Sequence, residues 1–278
     1  TLANDGTLTF GDATGDSFTF NGGLTTSSVA GTVTLNTSIS SSNDAMVFGA
    51  ITLGNNVTLD TNASSTTGDL TLGVVTGGNN TLTLSTGNNV ANSDITASGN
   101  ISGVTTLTLA DVGGTATLSG DVDVTTLTVG NTVANVALNG NGSTITNAVS
   151  FANDGTLNLG GAGSDGITFT GGLTTTSVGG TVTVDGELFT DNADMTLGAI
   201  TLSSARFVGI GTNSTSGGAG GDLTISGNIT GGGRDLGLTT EGHVPINSSG
   251  SNETTNDVTV SGNITNVDDL DILSIGGT

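Results

Sequence analysis

Three stretches, Asn80–Leu84 (NTLTL), Thr105–Leu109 (TTLTL) and Thr125–Val129 (TTLTV), carry the pattern that decides the fold. Side chains alternate across a strand, so Leu82, Leu107 and Leu127 face one side and the threonines beside them face the other. An aliphatic face backed by a threonine face marks a sheet buried on one side. The same alternation recurs in Thr7–Phe10 (TLTF), Thr32–Leu35 (TVTL), Ile51–Leu53 (ITL), Asp69–Leu72 (DLTL), Ser143–Thr146 (STIT) and Thr181–Val184 (TVTV). Gly, Asn and Asp bound these runs, as at Asp5-Gly6, Asn139-Gly140 and Asp154-Gly155, where the chain needs residues that tolerate positive φ. Helix signals are nearly absent.

Hairpin proteins join strands of matched length through two-residue turns. Here the runs are short and the spacers irregular, which a β-solenoid accommodates: each strand pairs with its equivalent one coil further on, and the corners absorb the difference. A coil of roughly 20–25 residues lies within the usual range of repeat units and predicts an all-β parallel β-helix of about a dozen coils.

The chain also repeats on a larger scale. Thr1–Leu53 aligns with Ser150–Leu202 without a gap, beginning with ANDGTL at Ala3–Leu8 and Ala152–Leu157. Apolar differences keep their class: Leu2 becomes Phe151, Phe10 becomes Leu159 and Phe18 becomes Ile167. This divides the solenoid into a unit over 1–149 and its continuous duplicate over 150–278. The stretch 234–254, which holds the only His and the only Pro, breaks the strand pattern and reads as an irregular loop. A shorter repeat, ITASGNIS at Ile95–Ser102, LTISGNIT at Leu223–Thr230 and VTVSGNIT at Val258–Thr265, reads as one recurring bend whose Asn bonds to backbone. Asn100, Asn228 and Asn263 also begin N-x-[ST] sequons, although a chain rich in Asn, Ser and Thr generates such triplets by chance.

Composition narrows the function. The formal net charge is −22, from 24 acids against two arginines, Arg206 and Arg234, with no lysine. Phosphate backbones and anionic membrane surfaces find no cationic footprint, so neither nucleic acid nor a membrane is an expected partner. The longest apolar run, Ala45–Leu53, is too short to span a bilayer, and no membrane insertion is expected. Absence of cysteine suits an exported protein without disulfides. The chain opens in mid-pattern without Met, as expected of a processed product or a segment of something longer.

Catalytic chemistry has little to stand on. Asp121 and Asp123 share a strand face, and Asp268, Asp269 and Asp271 cluster, but outward acids on strands are usually a solvated face and no lysine partners them. A lone His243 cannot complete a histidine metal site or a Ser-His triad. No enzyme activity is expected. Calcium is the best ligand candidate. Gly160–Thr168 (GGAGSDGIT) fits the G-G-x-G-x-D-x-U-x turn of calcium-binding β-rolls, with Asp165 as ligand. Gly217–Ile225 (GGAGGDLTI) comes close, with Asp222 in that place. Such sites stack Asp over Asp in consecutive turns, whereas these copies are isolated, so a plain glycine-rich turn is the stronger reading. In the first unit the equivalent turn keeps Asp16. Outward pairs such as Thr81/Thr83, Thr106/Thr108 and Thr126/Thr128 would suit ice binding if they stacked. Their spacing along the chain is irregular, and Thr is simply a good exposed strand residue.

Phe169–Ser204 (FTGGLTTTSVGGTVTVDGELFTDNADMTLGAITLSS) and Gly221–Gly233 (GDLTISGNITGGG) resemble the strand repeats of filamentous-haemagglutinin-like and autotransporter-associated bacterial surface exoproteins. The resemblance implies a right-handed parallel β-helix, export to the outside of a Gram-negative cell, and service as an adhesin stalk or surface fibre. The expectation is therefore a non-catalytic extracellular structural protein, whose partners are more of the same array and a host or cell-surface receptor. The alternative is a filament subunit that self-associates end to end. Carbohydrate-active chemistry ranks below both.

Overall fold

The computed structural model describes residues 1–12, 15–161, 166–203, 207–212, 220–240 and 257–273. Arg206, Asp165, His243 and Pro245 lie outside the described residues. The fold is all-β, with parallel strands stacked as a β-solenoid. It divides into two compact units, Thr1–Leu138 with Asn153–Gly155, and Asn139–Ala152 with Thr156–Thr278. The sequence duplicate starts at Ser150, but Ser143–Ile145 and Val149–Ser150 pair forward onto Gly166–Phe169 and Leu173–Thr174, so they fold with the second unit.

Alternation in the sequence becomes columns in the core. In the first unit, Leu8, Val33, Ile51, Val75, Ile101 and Val122 follow one another in parallel register. A second column runs Ile39, Leu59, Leu84, Leu109 and Val129. A third runs Leu24, Met46, Leu70, Ile95 and Ala116. The second unit repeats the arrangement, with Leu157, Val182, Ile200, Ile229 and Ile264 in one column. Another holds Ile167, Leu188, Ile210, Leu238 and Ile272, and a third Leu173, Met195, Leu223 and Val258. Away from the first and last windings these side chains are buried. Each contributes about 1.5–3 kcal/mol by leaving water. Backbone bonds such as Ile51 N–H to Val74 O at 2.8 Å and Val75 N–H to Asn100 O at 2.9 Å tie winding to winding.

The turns number about nine rather than about a dozen. Winding length varies with the corners: bonded equivalents lie 21 residues apart at Asn100 and Asp121, within the expected 20–25, but 28 at Asp194 and Asp222 and 35 at Asn228 and Asn263. A second difference concerns residues 234–239, expected in an irregular loop. They complete the strand Ile229–Thr239, because Leu236 and Leu238 alternate into the core and are fully buried.

Some threonines face inward, against the simple alternation. Thr61, Thr86, Thr190 and Thr212 are buried at the ends of strands. Their hydroxyls donate to the carbonyls of Gly68 (2.5 Å), Ser93 (2.9 Å), Ala193 (2.5 Å) and Gly221 (2.6 Å). Each bond ties the inward hydroxyl to a carbonyl at the corner, where a buried polar group needs a partner. Gly103, at φ 66°, forms the bulge between Ser102 and Val104.

Candidate functional site

The polar residues at the corners organise into ladders that run from winding to winding. In the first unit the Asp69 carboxylate accepts the N–H of Asp94 at 3.0 Å, and the Asp94 carboxylate accepts the N–H of Thr115 at 2.7 Å. In the second, Asp194 accepts from Asp222 at 2.9 Å, and Asp222 accepts from Asp257 at 3.1 Å. Asparagines do the same: Asn56 to Thr81 at 2.9 Å, Asn100 to Asp121 at 3.1 Å and Asn228 to Asn263 at 2.9 Å. The side-chain oxygen thus reaches the next winding, where the sequence suggested a bond within the bend itself.

The glycine before Asn100, Asn228 and Asn263 has a cause in a neighbouring winding as well. Neighbouring windings approach so closely at this corner that a Cβ on Gly227 would stand 2.4 Å from the Ala199 nitrogen, and one on Gly262 would stand 2.2 Å from the Gly227 oxygen. The S-G-N repeat is therefore a stacking device, with a glycine that admits the neighbouring backbone and an amide that caps it. Its sequence signal was recurrence with unvarying order, but recurrence alone does not say which winding receives the bond. Replacing Asn228 with Ala should hand the Asn263 N–H to water and lower stability by about 0.5–1.5 kcal/mol, read from a denaturant midpoint.

For calcium, Asp222 is a rung of this ladder, with one carboxylate oxygen engaged by the Asp257 N–H. Asp165 lies outside the described residues. Its counterpart Asp16 accepts the Asp12 N–H at 3.0 Å, and its backbone carbonyl accepts the Thr37 hydroxyl from the next winding. Among the described residues no three His, Cys, Asp or Glu side chains gather as a metal would require. A chelator is expected to leave the thermal midpoint unchanged; a fall on chelation that calcium reverses would restore the ion.

Among the described residues, the other acids read from the sequence lie on or beside strands. Asp123 is exposed opposite Ser102, and Asp268, Asp269 and Asp271 lie on the strand Ile264–Leu273. Arg234 sits opposite Val267, not opposite an acid. A groove of about 520 Å³ in the second unit is lined by Ala148, Val149, Gly172, Leu173, Ala193 and Asp194 among others, with no cation among its described lining residues.

The threonine pairs do stack. Thr81 and Thr83 lie in register with Thr106 and Thr108, and these with Thr126 and Thr128; Thr58 extends the outer column. The irregular spacing along the chain is absorbed at corners and does not disturb the face. Comparison with protein-family models, with curated proteins and with solved structures returned no match.

Proposed function

We propose that this chain is a non-catalytic structural segment of an extracellular bacterial surface fibre or adhesin stalk. The observation that carries the reading is the use made of the repeated residues. Aliphatics extend the core columns, and the conspicuous Asp, Asn and Gly positions bond or admit the next winding instead of converging on a ligand. A duplicated unit of this kind adds reach, since each winding extends the stack by about 4.8 Å. Strong negative charge keeps such surfaces apart in solution. The resemblance of Phe169–Ser204 to surface exoprotein repeats supports an extracellular location. Antibody labelling of intact cells that make the protein tests it: surface label is expected, and label appearing only after permeabilisation would overturn the reading.

A second reading, ordering of water or ice, is favoured by the in-register Thr81/Thr83, Thr106/Thr108 and Thr126/Thr128 array. Strand spacing of about 4.8 Å and a same-face repeat of about 6.6 Å give a two-dimensional lattice of hydroxyls and methyls. Thermal hysteresis that Thr108→Tyr abolishes without changing stability would support it, and a wild-type chain with no hysteresis would remove it.

A further inference from the structure

Phe207 points away from the core, because Val208 and Ile210 on the same strand alternate inward and are fully buried. It is 36% exposed, although parallel strands, Glu187–Thr190 and Ile229–Thr239, cover its winding on both sides. The exposure is therefore lateral and does not arise at an end of the stack. Nor does the ring stand up into solvent. Its distal edge fills the space above Gly209 of its own strand and Gly237 of the next. A Cβ on Gly237 would stand 2.6 Å from the ring Cζ, and one on Gly209 would stand 3.2 Å from Cε1. Beside it the half-buried Phe189 covers Gly211, where a Cβ would come within 3.1 Å of its Cδ1. Three glycines thus make a floor on which two phenyl rings lie. Carboxylates flank Phe207: Asp235 is directly opposite on the next strand, Glu187 precedes Gly209 in register, and Asp271 follows Gly237.

The duplication shows that stacking does not require this surface. Ser38-Ile39-Ser40 aligns with Glu187-Leu188-Phe189, so the core residue keeps its class while both outward serines are exchanged. In the two windings that follow, Thr58 and Thr83 hold the places that Gly209 and Gly237 hold in the second unit. The first unit builds the same windings with a plain Ser/Thr face. The rings, the glycine floor and the flanking acids are particular to the second.

We propose that this face of the second unit binds arginine side chains of a basic partner peptide, with a guanidinium stacked on Phe207 between the carboxylates of Glu187 and Asp235. The face of a phenyl ring attracts cations, and carboxylates accept the forked N–H groups of a guanidinium. A ring laid along a sheet suits a planar cation better than the compact, strongly hydrated ammonium of lysine. Phe189 offers apolar surface to the methylene stem. The net charge of −22 draws a basic chain toward the protein from any side, and the ring with its two acids fixes where the arginine rests. The site stands on three windings of the second unit and holds whether or not the chain serves as a surface fibre.

The test follows the fluorescence anisotropy of a labelled arginine–glycine repeat peptide titrated with the full chain at about 0.15 M salt, where charges are screened beyond about 8 Å. Phe207→Leu keeps the charge and the apolar surface, and should weaken binding about two- to fivefold, the size of an exposed cation–π contact. Glu187→Gln should weaken it by more than Asp123→Asn, which removes the same charge from an exposed strand position in the first unit. Thermal midpoints equal to that of the wild type separate loss of binding from loss of fold. A lysine–glycine peptide of equal length and charge should bind more weakly, and a neutral oligosaccharide should not bind. Wild-type affinity in Phe207→Leu, equal losses in Glu187→Gln and Asp123→Asn, or a preference for the lysine peptide or the oligosaccharide would each overturn the proposal.

Discussion

Leu84→Asp is expected to abolish the cooperative thermal melt of the first unit, while Thr83→Asp, one residue away, leaves it almost unchanged. Leu84 is fully buried between Leu59 and Leu109. A carboxylate there meets only hydrocarbon above and below, and an uncompensated buried charge costs about 3–5 kcal/mol. Loss of the leucine packing adds about 2–5 kcal/mol. Together these approach or exceed a typical stability of about 5–15 kcal/mol. Windings lean on their neighbours, so failure of one exposes the faces of the next. Thr83 lies on the other face of the same strand and is half-exposed, where substitutions usually stay within about 0.5 kcal/mol. Far-UV melts of the two variants decide it: equal losses would mean that the faces are not distinguished as described.

Gly120→Val is also expected to be strongly destabilising. A Cβ at Gly120 would stand 2.4 Å from the Gly99 carbonyl carbon, 2.5 Å from its oxygen and 2.6 Å from the Asn100 nitrogen. All three are backbone atoms of the neighbouring winding and cannot rotate away. The windings must separate at this corner, which strains the bond from the Asp121 N–H to Asn100. Overpacking of this kind costs about 1–3 kcal/mol, and the β-branched side chain places the result at the upper end. Gly22 is the control, since a Cβ there meets nothing within 4 Å. Gly22→Ala should be neutral or stabilising by up to about 1 kcal/mol, because it restricts the unfolded chain. Chemical denaturation of both variants checks the contrast.

The fold was legible because a period of two survives any irregularity between strands. T-L-T at Thr106–Thr108 specifies inside and outside whatever the corner does, and the registers of Leu82, Leu107 and Leu127 follow. Winding length was not legible, because insertions such as the one between Asp222 and Asp257 leave no mark on the strands they separate. The strand Ile229–Thr239 was hidden by Gly231–Gly233 and by Arg234 and Asp235, which read as a loop until Leu236 and Leu238 are seen to alternate. Asp222 shows the limit most plainly. A glycine-rich turn with an aspartate fits a calcium loop on paper, yet the bond its carboxylate makes goes to a residue 35 positions away, which no local pattern announces. The inward threonines were missed for the same reason, since a hydroxyl's carbonyl partner around the corner is a property of the winding.

The parallel, in-register stacking of windings is tested most directly by paired cysteines, since the chain contains none. Thr83→Cys with Thr108→Cys places two cysteines directly opposite one another on adjacent strands, with Cα atoms about 4.8 Å apart, within the Cα separation that a disulfide spans. This pair should oxidise within the monomer nearly completely, while Thr83→Cys with Thr126→Cys, two windings away and off register, should not. An off-register pair that oxidises as readily as Thr83 with Thr108, or a Thr83 and Thr108 pair that stays reduced in the folded protein, would contradict the columns.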